Sequence, residues 1–295
     1  MYFGAHLSIR NGVQRALERG RSLACDCVQL FTRNQRRWQP SPLRDEDVHD
    51  FHALKSGFRS VYAHASYLIN LASPDDLIWS KSIGGLSEDL KRCQILGVPM
   101  LVLHPGSHQG QGVARGIERA CEALERTYSR EGLPGILIET TAGQGTSIGF
   151  QFSQLRDILD GTVSKGIPVG VCLDTCHLFA AGYDISTHSG FQSTCKTFDR
   201  ILGLENLKLI HLNDSKGSLG SRIDRHEHLG RGTIGMTGLS YFVRAPVFRN
   251  LAGCLETPKS LPESRHKRVS DSDLYADSLN LAILRKFART GSGST

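Results

Sequence analysis

The 295-residue chain has no apolar run long enough to cross a bilayer. Its longest, Val98 to Leu103, falls far short of the about 20 residues a spanning helix takes. Residues Met1 to Arg10 show no basic stretch followed by an apolar one, so no secretory signal is expected. No C-x-x-C pair occurs, which argues against a zinc knuckle or a thioredoxin-type redox site. The eight cysteines are dilute and sit beside apolar runs, so they are read as buried, reduced thiols of an intracellular protein. Neither G-x-G-x-x-G nor G-x-x-x-x-G-K-[ST] follows any strand-like run, against a nucleotide-binding open sheet. Low-complexity segments and dividing linkers are also missing. What remains has ordinary globular proportions, with 39% hydrophobic and 22% charged residues. A net charge of +6 favours anionic partners only mildly.

Short β-type runs alternate with longer segments of helical period. The expected strands are Tyr2–Leu7, Cys27–Thr32, Val61–Ser66, Met100–Pro105, Gly135–Thr141, Val169–Thr175, Leu207–Leu212 and Ala252–Thr257. Helices are expected near 12–22, 45–57, 79–95, 113–129, 151–160, 190–201, 236–244 and 272–289. Eight strand–helix units in strict alternation predict an α/β fold, a single (β/α)8 TIM barrel, rather than a doubly wound open sheet. Residues 1–288 are expected to form one catalytic domain and 289–295 a disordered tail. The Gly-, Ser- and charge-rich stretch from Asp214 to about Met236 is read as a long functional βα loop.

Six successive apolar runs finish on His64, His104, Glu139, Asp174, His211 and Glu256, at separations of 40, 35, 35, 37 and 45 residues. Each interval is about one βα unit, and parallel barrel strands would bring all six side chains to one rim. His177, Asp224 and His226 join them from adjoining loops. Any one such residue is more often structural than ligating; number and shared position make the case. Four carboxylates in one mouth would repel one another unless cations offset them. Five imidazoles with four carboxylates suit zinc or manganese better than magnesium or calcium. At roughly three or four protein ligands per ion, nine ligands fit two or three ions. Multinuclear sites of this kind usually handle phosphate esters.

The loop after the second strand carries Arg33, Arg36, Arg37 and Trp38, and that after the third carries Tyr67, Leu68 and Asn70. Cations beside an exposed aromatic or aliphatic wedge are what grips phosphates and enters a base stack. Lys216, Arg222, Arg225 and Arg231 add positive charge from the seventh loop.

These segments resemble the endonuclease IV family of apurinic/apyrimidinic (AP) endonucleases over nearly the whole chain. The resemblance is carried by Gly4–Ser8, Leu30–Arg36, His64–Leu71, Leu103–His108, Ile138–Gly145, Leu173–Asp184, His211–Asp214, Asp224–Gly230 and Leu255–Pro258. Asp174-Thr-Cys-His, His211-Leu-Asn-Asp and Asp224-Arg-His in this order are highly specific. The resemblance implies a barrel with a trinuclear Zn2+ cluster, Mn2+ being acceptable at one position. The ligands it implies are His64, His104, Glu139, Asp174, His177, His211, Asp224, His226 and Glu256, the set the strand ends and loops also give. It further implies that Glu139 bridges two ions beside the attacking water, and that Arg36, Tyr67 and Leu68 penetrate DNA. His6, His108 and His228 are read as partners that orient ligands.

The implied reaction is hydrolysis 5′ to an abasic site in duplex DNA, giving a 3′-hydroxyl and a 5′-deoxyribose phosphate, with removal of blocked 3′ ends. The enzyme is expected to act as a monomer in the cytoplasm, reaching the nucleoid through DNA and having no membrane partner. A divalent-metal sugar isomerase or epimerase on the same barrel is one rival, but it leaves Arg36, Tyr67 and Leu68 without a role. The other is a non-catalytic lesion-binding protein with structural metals, which nine ligands cannot close around three ions. Arg231 departs from the family pattern, which has an acidic residue there. The basic stretch His266 to Arg268 is too short to address the protein anywhere.

Overall fold

The computed structural model describes residues 1–128, 132–261 and 269–290. Its strands are β1 (Tyr2–His6), β2 (Cys27–Phe31), β3 (Ser60–His64), β4 (Met100–Leu103), β5 (Gly135–Glu139), β6 (Val169–Asp174), β7 (Leu207–His211), β8 (Asp214–Ser215), β9 (His226–Glu227) and β10 (Ala252–Leu255). All but β8 and β9 join in a closed parallel barrel, running from β1 through β7 to β10 and back to β1. Closure leaves no sheet edge, which rules out the open doubly wound alternative.

Around the barrel lie α1 (Gln14–Ser22), α2 (Asp45–Lys55), α3 (Asp76–Leu96), α4 (Val113–Thr127), α5 (Phe152–Val163), α6 (Thr175–Ala181), α7 (His188–Leu202), α8 (Gly235–Arg244) and α9 (Val269–Thr290). Local chemistry sets several ends. In α3, the Asp75 carboxylate accepts from the backbone N–H of Leu77 (2.8 Å) and Ile78 (2.9 Å), and Gly97 ends the helix at φ 62°.

All eight expected strands and eight expected helices are present, with ends shifted by a few residues. Among the features not anticipated are α6 and the β8–β9 hairpin. A seven-residue helix is too short to show periodicity, and two-residue strands carry no alternation. The last helix reaches Thr290; residues 291–295 of the expected tail, like the basic stretch His266 to Arg268, lie outside the described residues. Among the described residues no helix is long and apolar enough to cross a membrane.

Period-two alternation places the site. Inside the barrel, Tyr62, Val102, Leu137, Cys172, Leu209 and Cys254 form one apolar cluster. The next residue on each strand, Ala63, Leu103, Ile138, Leu173, Ile210 and Leu255, packs outward in the large core beneath the helices. One residue further, the chain points inward again, at His64, His104, Glu139, Asp174, His211 and Glu256. The apolar cluster is therefore a dry floor, and the potential ligands form the layer above it at the C-terminal mouth.

Candidate metal centre

Glu139 is fully buried at the centre of the mouth. Its Oε2 lies 3.2 Å from His64 Nε2 and 3.1 Å from His104 Nε2, and its Oε1 lies 3.1 Å from His211 Nδ1 and 3.2 Å from His177 Nδ1. Three overlapping groups of potential ligands result: His64, His104 and Glu139; Asp174, His177 and His226; and Glu139, Asp174, His211 and Glu256. Within each group one ligand atom per residue lies within 4.8 Å of the others. Glu139 and Asp174 each belong to two groups, as bridging carboxylates would. Asp224 stands at the rim, its Oδ1 3.0 Å from His177 Nε2 and 3.7 Å from His226 Nε2.

Backbone contacts fix which imidazole nitrogens are available. His64 Nδ1 donates to the Ala65 carbonyl (2.8 Å), His177 Nδ1 to the Thr140 carbonyl (2.8 Å) and His226 Nδ1 to the Glu256 carbonyl (3.0 Å). His211 Nε2 donates to Gln29 Oε1 at 2.9 Å. In the neutral form each remaining nitrogen carries a lone pair, and it faces carboxylate oxygens or another lone pair. His177 Nε2 and His226 Nε2 are only 3.3 Å apart. Such a juxtaposition is repulsive unless protons or cations lie between the groups, and a ring pinned through its other nitrogen is how metal-ligating histidines are held. The donor set fits divalent metal.

The electrostatics agree. Burial opposes charge on His177, but Asp174, Asp224 and Glu139 outweigh it and lift the imidazole well above its ordinary range. For His211, burial is overcome by Cys172, Glu256 and Glu139, with the same result. Burial would raise Glu139, yet His104 and His211 hold it well below the ordinary carboxylate range. Glu256 is likewise held low against burial, chiefly by His211 and His6.

Short-range structure completes the arrangement. Asp174 caps α6, accepting from the His177 backbone N–H at 2.8 Å, so the first turn of this helix returns His177 over the carboxylate that precedes it. The β8–β9 hairpin folds the seventh loop back and delivers His226 to the same place. Asp214, also in this loop, accepts five backbone N–H groups, from Ser215, Gly230, Gly232, Ile234 and Gly235. Arg231 lies between two of these donors, with its side chain exposed. These backbone bonds to Asp214 hold the loop on both sides of Arg231.

Three residues absent from the expected set also belong here. Gln29 bridges His211 and Glu256, donating to Glu256 Oε1 at 2.6 Å. Asn213 donates to Asp174 Oδ2 at 2.6 Å and accepts from the Glu256 N–H at 2.8 Å. Asp214 shapes the loop. Gln29 was findable: it stands two residues beyond the interior Cys27, as each of the six strand-end candidates stands two beyond its own floor residue.

Of the three histidines expected to orient ligands, only His6 does so, with Nδ1 2.8 Å from Glu256 Oε1. Burial pushes its pKa down to about 4 despite Glu256, so it is neutral near pH 7 and donates. His108 instead accepts from the Gly110 and Gly112 N–H groups, and His228 bonds Asn280 and the Ser260 carbonyl. Arg33 also departs from expectation. It is 3% exposed and paired with Asp89, so it grips no phosphate. Arg36 is exposed, Tyr67 is 63% exposed and Leu68 is half-buried. The Tyr67 ring stands 5.6 Å from that of His64, directly beside the ligand layer. Here a cleft of about 710 Å³ opens, lined by His6, Phe31, Tyr67, His226, Glu256 and Lys259 among others.

A closed parallel barrel with overlapping carboxylate–imidazole clusters at its C-terminal mouth defines a metal-dependent barrel enzyme. The family described as a xylose isomerase-like TIM barrel matches residues 17–281. A probable endonuclease 4 of Chloroflexus aurantiacus is 41% identical over 292 residues, covering 97% of this chain and 98% of the relative. One from Geotalea daltonii is 42% identical over 294 residues, covering 98% of each. The crystal structure of endonuclease IV from Thermus thermophilus superposes with a TM-score of 0.81 at 36% identity, over 97% of this chain and 100% of that one. The chain belongs to the endonuclease IV family of AP endonucleases and is a metal-dependent hydrolase.

Proposed function

We propose that the enzyme hydrolyses the phosphodiester immediately 5′ to an abasic site in duplex DNA, leaving a 3′-hydroxyl and a 5′-deoxyribose phosphate, and that it also removes blocking groups from 3′ ends. The observation that carries this reading is the overlap of three ligand groups through Glu139 and Asp174, beside an exposed aromatic. Three Zn2+ ions are assigned, with Mn2+ acceptable at one position, held by His64, His104, Glu139, Asp174, His177, His211, Asp224, His226 and Glu256. Divalent cations there supply a nucleophile from water at neutral pH and neutralise charge developing on the phosphate. The catalytic unit is residues 1–288, acting as a monomer in the cytoplasm on nucleoid DNA.

The chain's own residues do the rest. Arg36, Tyr67 and Leu68 enter the stack, and the cleft beside His6 and Tyr67 receives the extruded sugar phosphate. Extrusion is cheapest where a base is missing, because less pairing and stacking is lost, and this supplies selectivity. Glu139, central to the ligand layer, positions the attacking water. A sugar isomerase would use the metals but leave the exposed Tyr67 and Arg36 idle.

The test is incision of a labelled duplex containing one tetrahydrofuran abasic analogue, with an undamaged duplex alongside and metal measured on the same sample. The analogue cannot undergo β-elimination, so cleavage 5′ to it with a 3′-hydroxyl reports hydrolysis. Glu139→Gln is expected to retain DNA binding and to lose turnover by at least about 10²-fold. A fully metallated wild-type protein that leaves the duplex intact would overturn the proposal.

A further inference from the structure

The two loops that carry Arg36 and Tyr67–Leu68 come from different strands, yet they converge on one side chain outside the metal centre. Asp89, on α3, is 1% exposed. From the second loop its carboxylate accepts Arg33 Nε (2.6 Å), Arg33 Nη2 (3.1 Å) and the Thr32 hydroxyl (3.0 Å). From the third loop it accepts the backbone N–H of Ser66, at 3.4 Å.

Arg33 carries this order onward. Its Nη1 donates to the carbonyls of Arg37 (2.6 Å) and Trp38 (3.3 Å), and its Nη2 donates to the Gly85 carbonyl of α3 (3.3 Å). Ser66 closes the circuit. Its hydroxyl donates to the Gln35 carbonyl (2.7 Å) and accepts from the Leu68 N–H (3.3 Å). Arg36 thus sits between Gln35 and Arg37, whose carbonyls are both held, while Tyr67 sits between Ser66 and Leu68, whose N–H groups are both held. No side chain in this circuit is among the nine potential metal ligands.

We infer that the buried Asp89–Arg33 pair, with Ser66, is a positioning unit that fixes the second and third loops as one rigid wedge, so that Arg36 and Tyr67–Leu68 enter the duplex together. The inference rests on the proposed reading that these three residues penetrate DNA. Two separately mobile loops would have to be ordered on the DNA at each encounter, whereas a shared buried carboxylate orders them beforehand. The unit therefore acts on lesion opening and leaves the metals in place.

The experiment uses full-length, metallated protein and a tetrahydrofuran duplex with 2-aminopurine beside the lesion, whose fluorescence rises when the wedge unstacks it. Wild type is expected to give the rise followed by incision. Asp89→Asn should keep its metals and lose most of the rise, with single-turnover incision at saturating DNA falling about 10- to 100-fold. Ser66→Ala removes the hydroxyl's bonds to the Gln35 carbonyl and to the Leu68 N–H, leaves the buried Asp89–Arg33 pair intact, and should lower the same rate about 3- to 10-fold by weakening the same geometry. It keeps the inference testable if Asp89→Asn does not fold. A merely structural role would reduce the active fraction while leaving the rise and the rate per metallated molecule unchanged. That result, in a folded Asp89→Asn or in Ser66→Ala, overturns the inference. Wild type that incises without any rise overturns the wedge reading itself and this inference with it; wild type that does not incise at all overturns the proposed reaction first.

Discussion

Gln29 shows how much of this centre depends on residues that cannot themselves bind metal well. Its amide oxygen pins His211 and its amide nitrogen holds Glu256, so two potential ligands are oriented by one side chain. Gln29→Leu should preserve the barrel and lower metal affinity about 10- to 100-fold, as read by competition with a chelator. The same layer sets a pH signature. In the metal-free protein His177 and His211 are raised, so their contribution to stability is complete below the ordinary histidine value of 6.5 and fades as pH rises through their folded values. Glu139 and Glu256 are lowered, so theirs is complete above the ordinary glutamate value of 4.5 and fades as pH falls through their folded values. Chelated protein should therefore melt highest between these two values. Metal replaces the protons on the imidazoles, so reloaded protein should hold its melting temperature above pH 6.5 and lose metal as acid returns the protons. Melting curves of chelated and reloaded samples from pH 4 to pH 9 check both signs.

At the scale of elements, the seventh loop illustrates order without regular structure. Five N–H groups converge on Asp214, and Gly232 passes so close that a Cβ would stand 2.4 Å from the Ser215 carbonyl oxygen and 2.5 Å from Asp214 Oδ1. This hub, with the hairpin, holds His226 over Asp174. Asp214→Ala removes a buried carboxylate and leaves its five donors without their acceptor; each one that stays buried and unmet costs about 1–3 kcal/mol. The expected outcome is local: the barrel stays folded, while the group formed by Asp174, His177 and His226 loses its geometry. Metal analysis should show about one ion fewer per chain than wild type under identical loading, since only one of the three groups depends on His226.

Across the whole molecule, the first and last strands must meet for the ring of potential ligands to close. β1 pairs with β2 and β10, and Gly4 is opposite both Cys27 and Cys254. A Cβ at Gly4 would lie 1.7 Å from the Cys27 carbonyl oxygen, so this seam tolerates no side chain without the strands moving apart. Gly4→Ala should lower global stability by about 1–3 kcal/mol, as overpacking does, and shift the denaturant midpoint accordingly. The seam also explains why His6 and Glu256, 250 residues apart in sequence, share a hydrogen bond.

The alternation of strands and helices, and the polar residue ending each of six apolar runs, were legible in the sequence because period two and parallel pairing are local rules. So were the candidate ligands, since a barrel converts sequence spacing of about one βα unit into proximity at one rim. Tertiary structure alone decided how these side chains are shared, with Glu139 and Asp174 common to two groups each. It also separated roles that looked alike in sequence. Arg33 and Arg36 are three positions apart in one loop, yet one is buried against Asp89 and the other is exposed. His6 touches the potential ligand Glu256, while His108 and His228 bond elsewhere. The physical reason is the same in each case. Whether a charged or polar group is sheltered or exposed depends on partners supplied by distant strands and helices, and no local pattern encodes which partner the closed barrel will bring.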